Sequence, residues 1–151
     1  MRLDRPWIEL NIPHHGRMCL LDEVIEWDAR HIRCRSSTHR APDHPLRSHG
    51  RLGIACGIEY AAQAMAVHGA LAGAARSKAG FLASLRDVQL QVLRLDDIES
   101  DLVSAAELVA GDHGSALYEF ALYEFAPTSD ARPLLRGRAT VVFDASMRFI
   151  S

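Results

Sequence analysis

The chain has 151 residues, 48% of them hydrophobic and 24% charged, with 17 Lys+Arg against 19 Asp+Glu and a formal net charge of −2. A chain of this length buries about 68–70% of its unfolded surface, which predicts one globular domain over residues 1–151 and excludes disorder. Sixteen of the basic residues are Arg and Lys78 is the remaining one, and they are interspersed with acids. Nucleic-acid binding would need a basic stripe, so no nucleic-acid partner is expected.

Residues 1–22 read as irregular or briefly helical, with Pro6 and Pro13 as breakers and Trp7, Ile8 and Leu10 as packing anchors. The N-terminus lacks the apolar core of a signal peptide. Cys19, Cys34 and Cys56 form no CxxC pair, which indicates neither a zinc site nor a disulfide framework, and isolated thiols fit a reducing, cytoplasmic setting. Glu23–Trp27 and His31–Thr38 predict a hairpin around Asp28–Arg30, the second arm alternating Ile32, Cys34 and Ser36 with Arg33 and Arg35. A turn-rich loop, 40–50, carries His44 and His49.

The run 53–75 predicts a long helix with one acid, Glu59, one amide, Gln63, and one imidazole, His68. Its Ala-rich, weakly hydrophobic composition argues against a membrane span. A helix apolar on most faces is enclosed by its domain, and an enclosed carboxylate needs a partner, a hydrogen bond or a proton. Ser77–Gly80 reads as the helix stop. Strands are expected over 81–85 running into 88–93, then 101–109, 116–125 and 134–143. In the last of these Ala139, Val141 and Phe143 face away from Arg136, Arg138 and Thr140. The doubled Tyr-Glu-Phe at 118–120 and 123–125 is offset by five, so its copies face opposite sides. The sum is an α+β fold: a curved antiparallel sheet wrapped around one long central helix, whose uncovered side a second copy of the chain would close.

That order of elements is the hotdog fold. Ile12-Pro13-His14 followed by Met18-Cys-Leu-Leu-Asp22-Glu-Val24 resembles the opening of 3-hydroxyacyl-ACP dehydratases. Glu59-Tyr-Ala-Ala-Gln63 is similar to their Glu-x-x-Ala-Gln helix signature, and Phe81-Leu-Ala-Ser-Leu-Arg-Asp-Val88 resembles the strand that follows. The likeness spans nearly the whole chain and is greatest to the dehydratase-like subgroup of aryl-polyene pigment biosynthesis. The resemblance implies a cofactor-free active site across a dimer interface, made from the helix acid and a histidine of the loop before it. Glu59 matches the acid. The family's histidine sits about fourteen residues earlier, in a Gly-His-Phe-Pro…Pro-Gly-Val run. Here His49 lies ten before Glu59 and His44 fifteen before, and Ser48–Ile54 contains neither proline.

Dehydration of a 3-hydroxyacyl thioester needs a base for the C2 proton, an acid for the departing hydroxyl and donors for the thioester oxygen. His49 is the candidate base and Glu59 the candidate acid, since an apolar surround favours the protonated carboxyl. Gly53 and Gly57, at the helix N-terminus, are candidates for holding the thioester, with His44 also near the substrate. Gln63, one turn past Glu59, is counted with them among the substrate-binding candidates and is placed to orient the carboxylate. His14 and His15 read as packing or entry-loop residues, and His68 falls about 180° from Glu59 on the helix. Arg47 and Arg86 are candidates for a carrier's phosphate, against the default of solvated surface arginine. The expected partners are an acyl carrier protein or CoA thioester and a second hotdog subunit, identical or not. Two alternatives stand beside the dehydratase: a non-catalytic partner subunit or acyl-carrier-binding protein, and a thioesterase using Glu59 to activate water.

Overall fold

In the computed structural model, which describes residues 2–14, 16–72, 79–126 and 132–144, one sheet of six strands curves over one long helix. Helix α1 (Arg5–Asn11) starts with Pro6 inside its first turn, where a missing N–H costs nothing, and Asp4 caps it. Pro6 therefore opens a helix rather than breaking one. Ile8 and Ile12 anchor this segment in the core, whereas Leu10, expected to pack, is 85% exposed.

Strands β1 (Glu23–Trp27) and β2 (His31–Ser36) form the expected hairpin. A 3-10 turn, Ile54–Cys56, leads into helix α2 (Gly57–Ala72), so the α-helical register begins at Gly57. The 73–75 end of the expected helix and residues 77–78 of its stop lie outside the described residues, and Ala79 and Gly80 already belong to the next strand. Strands β3 (Ala79–Leu90), β4 (Leu102–Gly111), β5 (Ser115–Glu124) and β6 (Pro133–Asp144) complete an antiparallel sheet in the order β1-β2-β4-β5-β6-β3. The two short strands expected before residue 93 are one strand. It continues through a bulge between Arg86 and Gln89, where Asp87 takes a φ of 54°, and ends at Leu90.

Helix α2 packs across β2, β4 and β5. Its buried Tyr60, Ala61, Ala64, Met65 and Val67 meet Ile32, Cys34, Ala106, Phe120 and Leu122 in one core. Strand alternation supplies that core: Tyr118, Phe120 and Leu122 turn inward, and Ala139 does so from β6 while Arg136 and Arg138 stay outside. Tyr118 and Phe120 are buried and Phe125 is exposed, so the two Tyr-Glu-Phe copies do present opposite faces. On the β3 edge Leu82, Leu85 and Leu90 remain exposed. No helix among the described residues is long and apolar enough to cross a membrane.

Candidate active site

Glu59 stands in the first turn of α2, where the helix dipole favours a negative charge. Its side chain is 34% exposed in the single chain, so the sheet covers it only in part. His14 Nε2 lies 3.0 Å from Glu59 Oε1, and Gln63 Nε2 donates to the same oxygen at 3.2 Å. Both donors converge on Oε1. Among the described residues no hydrogen bond or ion pair reaches Oε2.

Gln63 is fully buried and every bond it makes is directional. Leu20 N–H donates to its Oε1 at 2.9 Å, which places the NH2 group toward Met18 O (2.8 Å) and Glu59. One amide thus ties the 18–20 segment to the helix and hydrogen-bonds the carboxylate one turn before it. Upstream, Ile12 is pinned in the core and Gly16 turns the chain at φ 58°. His14 is held between these fixtures, with its ring beside the helix and its Nδ1 buried without a partner.

By sequence His14 takes a part in packing or in entry-loop hydrogen bonds, and Glu59 is not indicated as its partner. The signal was the Ile-Pro-His segment itself, but nothing in the spacing brings residue 14 to residue 59. His49 sits elsewhere in the single chain. It is exposed at the tip of a tight turn in which Ser48 and Arg51 exchange backbone hydrogen bonds, with φ of 54° at His49 and 74° at Gly50. Both central residues left-handed is the hairpin type that favours Asn-Gly. The ring's bond is to Ser48 Oγ at 3.0 Å, and the described contacts do not join it to Glu59.

His44 is 5% exposed. Its Nδ1 accepts from Leu46 N–H at 3.1 Å and its Nε2 meets the Tyr60 hydroxyl at 3.0 Å, so both ring nitrogens are used inside the protein. Burial holds its pKa below the ordinary histidine value. A Cβ on Gly57 would stand 2.5 Å from a Leu135 methyl carbon and 2.8 Å from one of Leu122, so the glycine is needed where the helix start meets β5 and β6. Its N–H bonds back to the preceding 3-10 turn. Gly53 is different: a Cβ there meets nothing within 4 Å. Arg47 clamps the loop through Ala41 O at 2.8 Å and Gly50 O at 2.9 Å, and Arg86 is exposed on β3. His68 points away from Glu59, as the helical angle requires, into Tyr118 and the Asp28 carbonyl. No cluster of potential metal ligands occurs among the described residues.

No curated protein sequence matches the chain. Among solved structures it is similar to a chain of the dehydratase heterocomplex ApeI:P from Xenorhabdus doucetiae, at 24% identity and TM-score 0.78, covering 95% of this chain and 94% of that one. It is also similar to a thioesterase family protein from Silicibacter pomeroyi (14% identity, TM-score 0.57, 80% and 82% covered). A third match is the PaaI protein of the E. coli phenylacetic acid degradation operon (11%, TM-score 0.59, 79% and 80% covered). At these identities the likeness establishes the shared fold, the hotdog arrangement of sheet around helix. Residues 6–148 match the model of a dehydratase family, ApeP dehydratase, which bears out the resemblance drawn from Ile12–Val24 and Glu59–Gln63: the chain belongs to the ApeP-like family.

Proposed function

We propose that the protein dehydrates 3-hydroxyacyl thioesters, on an acyl carrier protein or CoA, with Glu59 as the acid. The observation that carries this is the two-donor grip on Oε1 of a part-exposed Glu59, which leaves Oε2, unbonded among the described residues, as the atom that exchanges a proton with substrate. A base removes the C2 proton, the C2–H electron pair becomes the C2=C3 double bond, and the C3 hydroxyl leaves as water with the proton from Glu59. His14 orients the carboxylate and stabilises it once ionised, because its N–H then donates to Oε1. The base is His49 of a second subunit. Its exposed position on a left-handed turn, where asparagine or glycine is the usual occupant, supports a role beyond the turn itself.

Gly53, with open space on its Cβ side beside the helix start, is the approach for the thioester. Gln63 serves it indirectly, through Glu59. The test is direct: purified protein with 3-hydroxyacyl-ACP yields the 2-enoyl product, and Glu59→Gln abolishes it. Full turnover by that variant sinks the reading.

A second reading makes this chain the accessory subunit of a two-component dehydratase. The stretch Ser48–Ile54 ahead of the helix, which contains neither proline of the family's run, favours it, and the similar Xenorhabdus chain comes from a heterocomplex. Activity that appears only on mixing with a second hotdog subunit supports that role. Release of free thiol without enoyl product points instead to thioester hydrolysis.

A further inference from the structure

Tyr60 follows Glu59 directly and its side chain is completely buried. The hydroxyl lies 2.8 Å from Thr38 Oγ1 and 3.0 Å from His44 Nε2. The two ends of this chain of bonds fix the direction of every proton in it. Leu46 N–H donates to His44 Nδ1, so the ring proton sits on Nε2 and is donated to the Tyr60 oxygen. Tyr60 then donates to Thr38 Oγ1, whose own proton goes to the Leu20 carbonyl at 2.7 Å. Leu20 N–H donates to Gln63, and Gln63 donates to Glu59. Leu20 is thereby tied to helix α2 through both backbone groups: its N–H through Gln63, and its carbonyl through Thr38, which Tyr60 of the helix holds in turn.

We propose that Tyr60, acting with Thr38 and His44, is a positioning residue whose hydroxyl sets where residues 16–20 lie against the helix, and through them where His14 meets Glu59. Removing that hydroxyl leaves the His44 N–H buried without an acceptor and Thr38 without its donor. Thr38 keeps its own proton for the Leu20 carbonyl but is no longer held to the helix, so that bond ceases to fix Leu20 against α2, at a point where a shift of about 1 Å costs on the order of 10²-fold in rate.

This inference rests on Glu59 and His14 acting as a pair, and its test has a readout independent of turnover. Crystal structures of the wild type and of Tyr60→Phe are compared, together with Thr38→Val, which removes the next oxygen in the chain at nearly the same volume. The expected result is an intact fold with the His14 to Glu59 separation widened beyond about 3.5 Å in either variant. Where the wild type turns over, kcat falls about tenfold or more with KM within about twofold. An unchanged 3.0 Å contact in both variants overturns the positioning role whatever the activity, as does an unchanged kcat. If the wild type has no dehydratase activity, the proposed function fails while the distance still decides this point.

Discussion

The imidazole of His14 and the carboxylate of Glu59 meet at 3.0 Å, although one belongs to an entry segment and the other to the central helix. The pair lies within one chain, so it does not depend on a partner subunit for its assembly. Replacing His14 by Leu removes the donor and keeps an apolar body of similar reach. We expect kcat to fall about 10²-fold and Glu59→Gln to cost at least as much, with far-UV circular dichroism unchanged in both. Steady-state kinetics on 3-hydroxyacyl-ACP measures this, and a His14→Leu variant with wild-type kcat removes the imidazole from the mechanism.

Gln63 contributes to stability as well as to the site. Gln63→Leu leaves the Leu20 N–H and the Met18 carbonyl buried without their partner, each at a cost of about 1–3 kcal/mol. Urea unfolding is expected to show a lowered midpoint. Gln63→Glu restores an acceptor for Leu20 but offers no NH2 to the Met18 carbonyl and sets a second, buried carboxylate beside Glu59, and so it recovers neither stability nor turnover.

The fold was legible because its signals are local: alternation in β2, β5 and β6, turn residues between strands, and an apolar run too long for anything but a helix. The edge of that legibility is also physical. Asp87 lets β3 continue through a bulge that reads in sequence as a break between strands. Leu10 looks like an anchor by composition, yet it lies on the outer side of a short helix already fixed by Ile8 and Ile12. Glu59 and Gln63 were legible as a pair because they are one helical turn apart. His14 was not, because its position follows from a tertiary chain of hydrogen bonds that no periodicity encodes.

Gly53 and Gly57 are alike in sequence as candidates for holding the thioester, and the structure separates them. Gly57→Ala drives a methyl group into Leu122 and Leu135 and is expected to destabilise by about 1–3 kcal/mol, seen as a drop in Tm. Gly53→Ala meets open space with an ordinary φ of −65° and leaves Tm unchanged. If the thioester passes beside Gly53, this same variant raises KM. A Gly53→Ala enzyme with wild-type KM places the substrate elsewhere.

Stability is expected to fall on mild acidification. Burial holds His39, His44 and His68 below the ordinary histidine pKa. The folded chain therefore binds fewer protons there than the unfolded one. The contribution is complete above the unfolded value near 6.5, declines as the pH drops below it, and is gone below the folded values. A second loss follows below about pH 4. The Arg94 guanidinium and the Leu52 N–H hold the Asp96 carboxyl well below the usual carboxylate range, and at Asp101 hydrogen bonds from Arg35 and Arg40 outweigh the opposing effect of burial. Unfolding midpoints in urea from pH 8 to pH 3 should show both descents. His68→Gln removes one imidazole and shallows the first without altering the second.

His49 offers the cleanest separation of backbone from chemistry. Its left-handed φ of 54° ahead of Gly50, within the Ser48–Arg51 turn, is a position that asparagine occupies more readily than histidine. His49→Asn is therefore expected to leave Tm unchanged or slightly raised while deleting the imidazole. If His49 is the base for a neighbouring subunit, kcat drops about 10²-fold or more and the folded, assembled protein is otherwise normal. Mixing this variant with Glu59→Gln then supplies the complementary test. Mixed dimers assemble one site from an intact His49 and an intact Glu59 on different chains, so partial activity returns. If His14 alone served Glu59 within one chain, His49→Asn would keep its full rate and mixing would add nothing beyond it.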